Sequence, residues 1–454
     1  MANYRKGIVS ITLTNLFKFS LTFITAFILP AILSVDQYGY IKVFQLYVGY
    51  VGVLHLGFCD GMYLSYGGKQ IDEINKQNLD DQRKTLQIFQ LLVTIVFLAL
   101  GLVLKNYMII IIAISIYPIN CMSFYSLLYQ AAGEYSHYSK TINYMVVLTF
   151  LANISLLLGG VRDYQWFILS YAIVDYVCLV LLEIDYYKLV GKSHGKFELN
   201  IMKVNISAGI LLMLGNFASI IFTSIDKYFI NWFFPIVSFS YYSFAVSLTT
   251  FVNLFTDPIG LILYNYLSNN QSIEMIKRLK RVIMLLAYFL IIMAFPGRYL
   301  MNFVLEKYIP ANNVIFILFG CHPLLLVVSC VYVNMYKVEK KQKRYFTLLL
   351  YSLGVAIVLD AIVSFTVKSI DLIAFATLIS IVFWYLLCEH DYPSLHRDWK
   401  EIIFHLGCMV SYILSGIYLN PILGLIIYGT VFTLLAVLFY RKDIKYAINL
   451  VLKR

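Results

Sequence analysis

Runs of apolar residues long enough to cross a bilayer recur along the whole chain, and this repetition constrains the fold more than any motif. A helix rises about 1.5 Å per residue, so roughly 20 apolar residues span a hydrocarbon core about 30 Å thick. Fourteen such runs can be drawn, at 8–33, 40–66, 85–104, 107–130, 141–160, 163–187, 204–232, 238–266, 282–296, 312–335, 346–366, 370–388, 402–419 and 421–440. The ninth is short, and the last two are divided at Asn420–Pro421. With 61% hydrophobic and 13% charged residues, the chain has about half the charge of a soluble protein. The expected fold is all-α and polytopic, with about fourteen transmembrane helices. The first run is too long for the core of a cleavable signal peptide, and no small-residue cleavage site follows it.

Lys and Arg resist translocation, so their distribution orients the helices. With the N-terminus inside, the inner connections hold 27 of the 35 basic residues and the outer ones hold 6, leaving Lys18 and Lys42 within helices. Both termini are therefore expected to be cytoplasmic. The net charge of +11 then serves orientation and anionic headgroups rather than nucleic acid. No polar segment is longer than 67–84, which leaves no room for a soluble catalytic domain. GxSxG, HExxH, phosphate-loop and DxD patterns are absent. Gly68–Lys69 lacks the glycine spacing a phosphate loop needs. The seven cysteines form no CxxC pair, so no metal site, disulfide framework or cofactor is expected.

Polar residues inside membrane helices are costly, so their positions carry information. Asn15, Lys18, Thr22 and Thr25 in the first run follow helical spacing, as do Lys42, Gln45, Gly49 and Gly52 in the second. Asn216, Ser219, Thr223 and Asp226 repeat it in the seventh, and Ser243, Ser247, Thr250, Asn253 and Asp257 in the eighth. An offset of 201 carries Asn15 onto Asn216 and Thr22 onto Thr223. The organisation this suggests is an N-terminal lobe at 1–200, a C-terminal lobe at 201–390 related by an axis along the membrane normal, and two extra helices with a tail at 391–454. The stripes either pack helices closely or line a cavity shared by the lobes. Lys18 lies about 15 Å into its helix, where it pairs with an acid such as Asp257 or faces water. Lys42, near the outer edge, can snorkel. Asp175 and Asp360 fall at mid-span and are protonated, paired or part of an ion-coupling site. Asp226 with Lys227 reads as an interfacial pair, His322 before Pro323 as a satisfied structural histidine, and most tyrosines as an interfacial belt.

Two stretches resemble a known family. LPAILSVDQYGYIKVFQL (29–46) leading to LGFCDGMYLSYGGK (56–69) is similar to the opening of bacterial polysaccharide repeat-unit flippases, with a Tyr-Gly pair after the first helix and a Gly-rich, acid-bearing turn closing the second. SIDKYFINWFFPIVSFSYYSFAVSLTTFVNLFTDPIG (224–260) resembles their helix 7–8 region, with Ser240 where a glycine is usual. The resemblance points to the O-antigen/capsule (Wzx-like) flippases of the multidrug/oligosaccharidyl-lipid/polysaccharide exporter (MOP) superfamily.

Such a protein is no enzyme. It moves undecaprenyl-diphosphate-linked oligosaccharide from the cytoplasmic to the outer leaflet of the bacterial plasma membrane, beside glycosyltransferases and a glycan polymerase. The resemblance implies a cation offsetting the diphosphate, for which Lys18 stands out. Asn15, Thr22, Lys42, Gln45, Asn216 and Asn253 are the accompanying cavity candidates, and Asp175, Asp257 and Asp360 the candidates for ion coupling. A multidrug exporter of the same superfamily is the nearest rival. A glycan polymerase or acyltransferase fits less well, because neither a large arginine-bearing outer loop nor a histidine-centred constellation is present.

Overall fold

Short polar side chains mark where helices begin. Ser34, Asn75, Asn106, Asp163, Ser369 and Asp398 each accept an amide of the following first turn, satisfying donors that no helical carbonyl reaches. In this computed structural model the backbone is described for residues 2–191, 194–269 and 272–452, and side chains for 17–191, 194–252, 263, 267 and 272–446. The described residues are overwhelmingly α-helical and include no strand.

The chain divides into two units, residues 1–220 and 221–454. The first contains α1 (Ala2–Ile32), α2 (Val35–Val48), α3 (Phe58–Tyr66), α4 (Lys76–Val103), α5 (Tyr107–Ala131), α6 (Tyr135–Leu158), α7 (Tyr164–Val190) and nearly all of α8 (Leu199–Phe222). The second contains α9 (Ile225–Phe233), α10 (Ile236–Asn269), α11 (Ile273–Leu290), α12 (Ala294–Val304), α13 (Asn312–Val327), α14 (Val333–Val338), α15 (Gln342–Thr366), α16 (Ile370–Asp391), α17 (Trp399–Tyr418) and α18 (Pro421–Leu452).

Among the described residues, eleven helices are long and apolar enough to cross a membrane, and the bent pair Val35–His55 with Phe58–Tyr66 makes a twelfth. Two shorter apolar helices, Phe17–Ile32 and Ile236–Val252, belong to α1 and α10. Exposed Val103, Leu158 and Leu211 have no place in water and face lipid. The protein is a multi-pass membrane protein. Asn420 caps α18 by accepting the Leu423 amide at 2.8 Å, which separates the last two helices at Asn420–Pro421. The short ninth run is lengthened, because α11 continues through a 3₁₀ turn at Ile291–Met293 into α12.

About a third of the 38 tyrosines depart from the interfacial expectation. The largest fully buried side chains are all tyrosines, twelve of them, including Tyr38, Tyr125, Tyr242, Tyr288 and Tyr412. Each supplies a large apolar ring to the core, and the hydroxyls of Tyr125, Tyr242 and Tyr288 also bond neighbouring helices. All seven cysteines are buried and free.

Two runs drawn as single helices are broken. Between α2 and α3 the axis bends by 61°, where Leu56 and Gly57 take φ of 53° and 82°. Gly57 can adopt that left-handed conformation without a Cβ penalty, and its lack of a side chain also lets α8 approach. A Cβ on Gly61 would lie 2.0 Å from the Asn205 carbonyl oxygen, and one on Gly209 2.0 Å from the Gly57 carbonyl oxygen. Backbone thus meets backbone where α3 crosses α8, in the manner of small-residue crossings in membranes. Asn205 extends the contact by donating to Gln82 at 3.1 Å, and Gln82 donates to the Tyr66 hydroxyl at 2.7 Å.

A polar cluster sits among α4, α5 and α7 of the first unit. Arg83 bonds Asp80 at 3.1 Å and the Tyr187 hydroxyl at 2.6 Å, and Gln87 bonds Glu183 at 2.6 Å. On α6, His137 and Lys140 both grip Asp185. In the second unit Lys280, 1% exposed, meets Glu401 at 2.9 Å and the Leu395 carbonyl at 2.8 Å. Buried charge is tolerated in these places because each has nearby partners.

Candidate functional site

The second break, at Thr223–Ser224, creates the site. Ser224 leaves helical geometry (φ −140°, ψ −1°), so α8 stops and α9 restarts with Asp226 in its first turn. The Asp226 carboxylate takes the amide of Lys227 on Oδ1 at 2.7 Å. Its Oδ2 accepts the Tyr242 hydroxyl of α10 at 2.5 Å and the Thr377 hydroxyl of α16 at 3.3 Å. Three donors on one carboxylate offset its desolvation, and they tie α9 to α10 and α16. Asp226 is only 5% exposed. This overturns the reading of Asp226 and Lys227 as an interfacial pair: the carboxylate is a buried hub.

Asp360 on α15 is 1% exposed, and its Oδ1 has no hydrogen-bond partner. It is close enough to Asp226 and Tyr242 for their charges to interact. Two carboxylates in one low-dielectric neighbourhood repel unless a proton or cation lies between them. Beside them is a cavity of about 320 Å³, large enough for several waters. Its walls include Asp226, Lys227, Thr249, His322, Ala356 and Thr377. Ala356 lies one turn before Asp360 on α15.

The other sequence candidates are scattered. Lys18 and Thr22 on α1, Gln45 on α2 and Asn216 on α8 are exposed. Lys42 is half-buried, with its ammonium 5.3 Å from the centre of the Tyr38 ring. Asp175 is buried on α7 of the first unit, flanked by Val174 and Cys178 of that unit's core, so the two units each hold a mid-helix acid. Asn15, Asn253 and Asp257 have side chains outside the described residues. Of the coupling candidates, Asp360 alone is placed among the described residues beside a second acid. Tyr242 and Thr377 were missed, and His322, read from the sequence as a satisfied structural histidine, lines the cavity. The one available signal was the polar run Thr223-Ser224 before Asp226 within an otherwise apolar stretch.

Compared with solved structures, the chain is similar to the lipid II flippase MurJ in its inward closed conformation, with a TM-score of 0.65 and 14% identity over 94% of this chain and 99% of that one. It is also similar to an inward-facing multidrug resistance MATE family transporter of the MOP superfamily, with a TM-score of 0.55 and 12% identity over 84% of this chain and 98% of that one. The chain has the fold of these transporters. No protein-family model and no curated protein matches it. At such identities the likeness concerns architecture alone.

Proposed function

We propose that this protein is a flippase that carries undecaprenyl-diphosphate-linked oligosaccharide repeat units from the cytoplasmic to the outer leaflet of a bacterial plasma membrane, for surface polysaccharide synthesis. The observation that carries the proposal is the end-to-end fold similarity to a lipid II flippase, whose substrate is itself lipid-linked. The resemblance of residues 29–69 and 224–260 to polysaccharide flippases narrows the substrate class. The excess of Lys and Arg in alternate connections supports cytoplasmic termini.

Diphosphate and glycan cannot enter hydrocarbon unaided, because burying their charge and hydroxyls costs far more than thermal energy. Lys18, exposed on α1, supplies the positive charge for the diphosphate. Asn15, Thr22, Gln45, Asn216 and Asn253 supply hydrogen bonds to the sugars, with Lys42 adding charge nearer the outer face. Transport is coupled to a monovalent cation or proton at Asp360 and its neighbour Asp226, with Asp175 and Asp257 as further candidates. Alternating access rocks the lobe at 1–200 against the lobe at 201–390, with the extra helices at 391–454 part of the second compact unit. Glycosyltransferases supply the substrate and a glycan polymerase consumes it.

The similarity to a multidrug transporter favours a second reading, export of organic cations coupled at the same carboxylates. Deleting the gene in its native host separates the two. The flippase reading predicts loss of surface polysaccharide with lipid-linked repeat units accumulating inside, and unchanged drug resistance. Normal polysaccharide with increased drug sensitivity contradicts it.

A further inference from the structure

His322 lines the cavity beside Asp226 and is 8% exposed. Its ring meets Phe319 at 6.1 Å, and among the described residues neither ring nitrogen forms a hydrogen bond. A structural histidine in a membrane core ordinarily donates one ring N–H to a neighbour, because leaving it unpaired is costly. This one is open to the cavity instead. It also lies on an irregular helix. Pro323 removes an amide from the α13 ladder, and a π turn follows at Val328–Tyr332, a feature frequent at functional sites.

We infer that His322 is the proton-carrying residue of this cavity and passes its proton to Asp226, so that the coupling ion is the proton. The inference rests on the transporter reading above and specifies its ion. Asp226 already receives three donors, and the Lys227 ammonium shares the cavity, which disfavours a metal cation there. Uptake of a proton on a ring nitrogen gives the imidazolium. Transfer through cavity water breaks that N–H bond and forms an O–H bond on Asp226, leaving neutral imidazole and a neutral acid.

The titratable groups lining the cavity with His322 are Asp226 and Lys227 from α9 and Cys321 beside it, with Tyr242 of α10 and Asp360 of α15 acting on Asp226; α16 contributes Thr377 and Ser380. On the side of α13 packed by α17, Tyr412 meets Gly320 and Phe316. From α11, Tyr288 engages His405. Protonating Asp226 converts its charge-assisted bonds from Tyr242 and Thr377 into weaker neutral ones. The tie from α9 to α10 and α16 therefore loosens with each proton.

The full chain in proteoliposomes, given fluorescent undecaprenyl-diphosphate oligosaccharide, tests this with and without a pH gradient of one unit. Wild type should translocate at least fivefold faster with the gradient, and a sodium gradient at equal pH should not substitute. In His322→Gln the ratio of the two rates should fall to one; His322→Asn serves if Gln prevents folding. A retained ratio in a folded variant, or stimulation of wild type by sodium alone, overturns the role of His322. If wild type moves no lipid-linked oligosaccharide, the flippase reading fails instead. The same gradient comparison with ethidium then decides whether His322 carries the proton for a drug exporter.

Discussion

Tyr242 donates its hydroxyl to Asp226 Oδ2 at 2.5 Å, joining two helices at the point where a membrane-spanning run breaks. Removing that hydroxyl leaves the carboxylate short of one of three donors. Tyr242→Phe should destabilise the second unit by about 1–3 kcal/mol, the cost of an unmet buried acceptor. Thermal melts in nanodiscs measure this. An unchanged melting temperature would show that the bond contributes nothing.

The two carboxylates should behave as a unit. Asp226→Asn and Asp360→Asn are each expected to abolish the dependence of transport on an ion gradient, and the double variant to add little, since each alone removes the charge pair. Gradient-driven translocation in vesicles checks this, and additive losses would indicate two independent sites.

Lys18 is the sequence candidate with the sharpest expectation. Lys18→Ala should reduce glycan export at least tenfold with protein level and membrane insertion intact, whereas Lys18→Arg should retain part of it, because charge near the diphosphate is what matters. Surface-polysaccharide staining beside an immunoblot reads this directly. Full export in Lys18→Ala removes the residue from the substrate path.

The crossing of α3 and α8 should not tolerate side chains. Gly61→Ala would place a Cβ 2.0 Å from the Asn205 carbonyl oxygen, and should cost about 1–3 kcal/mol or force the helices apart. Gly52→Ala, with nothing within 4 Å of its Cβ, is the control. Equal melting temperatures for the two variants would mean that the helices separate without cost.

What the sequence made legible was the part set by the bilayer. Runs near 20 residues, the Asn420–Pro421 division and the burial of Asp360 all follow from length, capping and the cost of charge in hydrocarbon. The breaks at Leu56–Gly57 and Thr223–Ser224 were not legible, because nothing local compels them. Leu56 adopts a positive φ that leucine disfavours, and Ser224 leaves the helix with no proline or glycine beside it. Tertiary packing holds both. Asp226 was misread for the same reason, since its partner Thr377 lies 151 residues away. The tyrosines misled because an amphipathic ring suits a membrane interface and a polar core equally well.

Translocation of a defined lipid-linked glycan by the purified chain tests the central claim most directly. In proteoliposomes bearing a nitrobenzoxadiazole-labelled undecaprenyl-diphosphate oligosaccharide, a membrane-impermeant reductant quenches only label in the outer leaflet. The account predicts that the chain raises the quenched fraction from about half towards completion, and that Lys18→Ala does not. A quenched fraction that stays at the level of protein-free vesicles would contradict it.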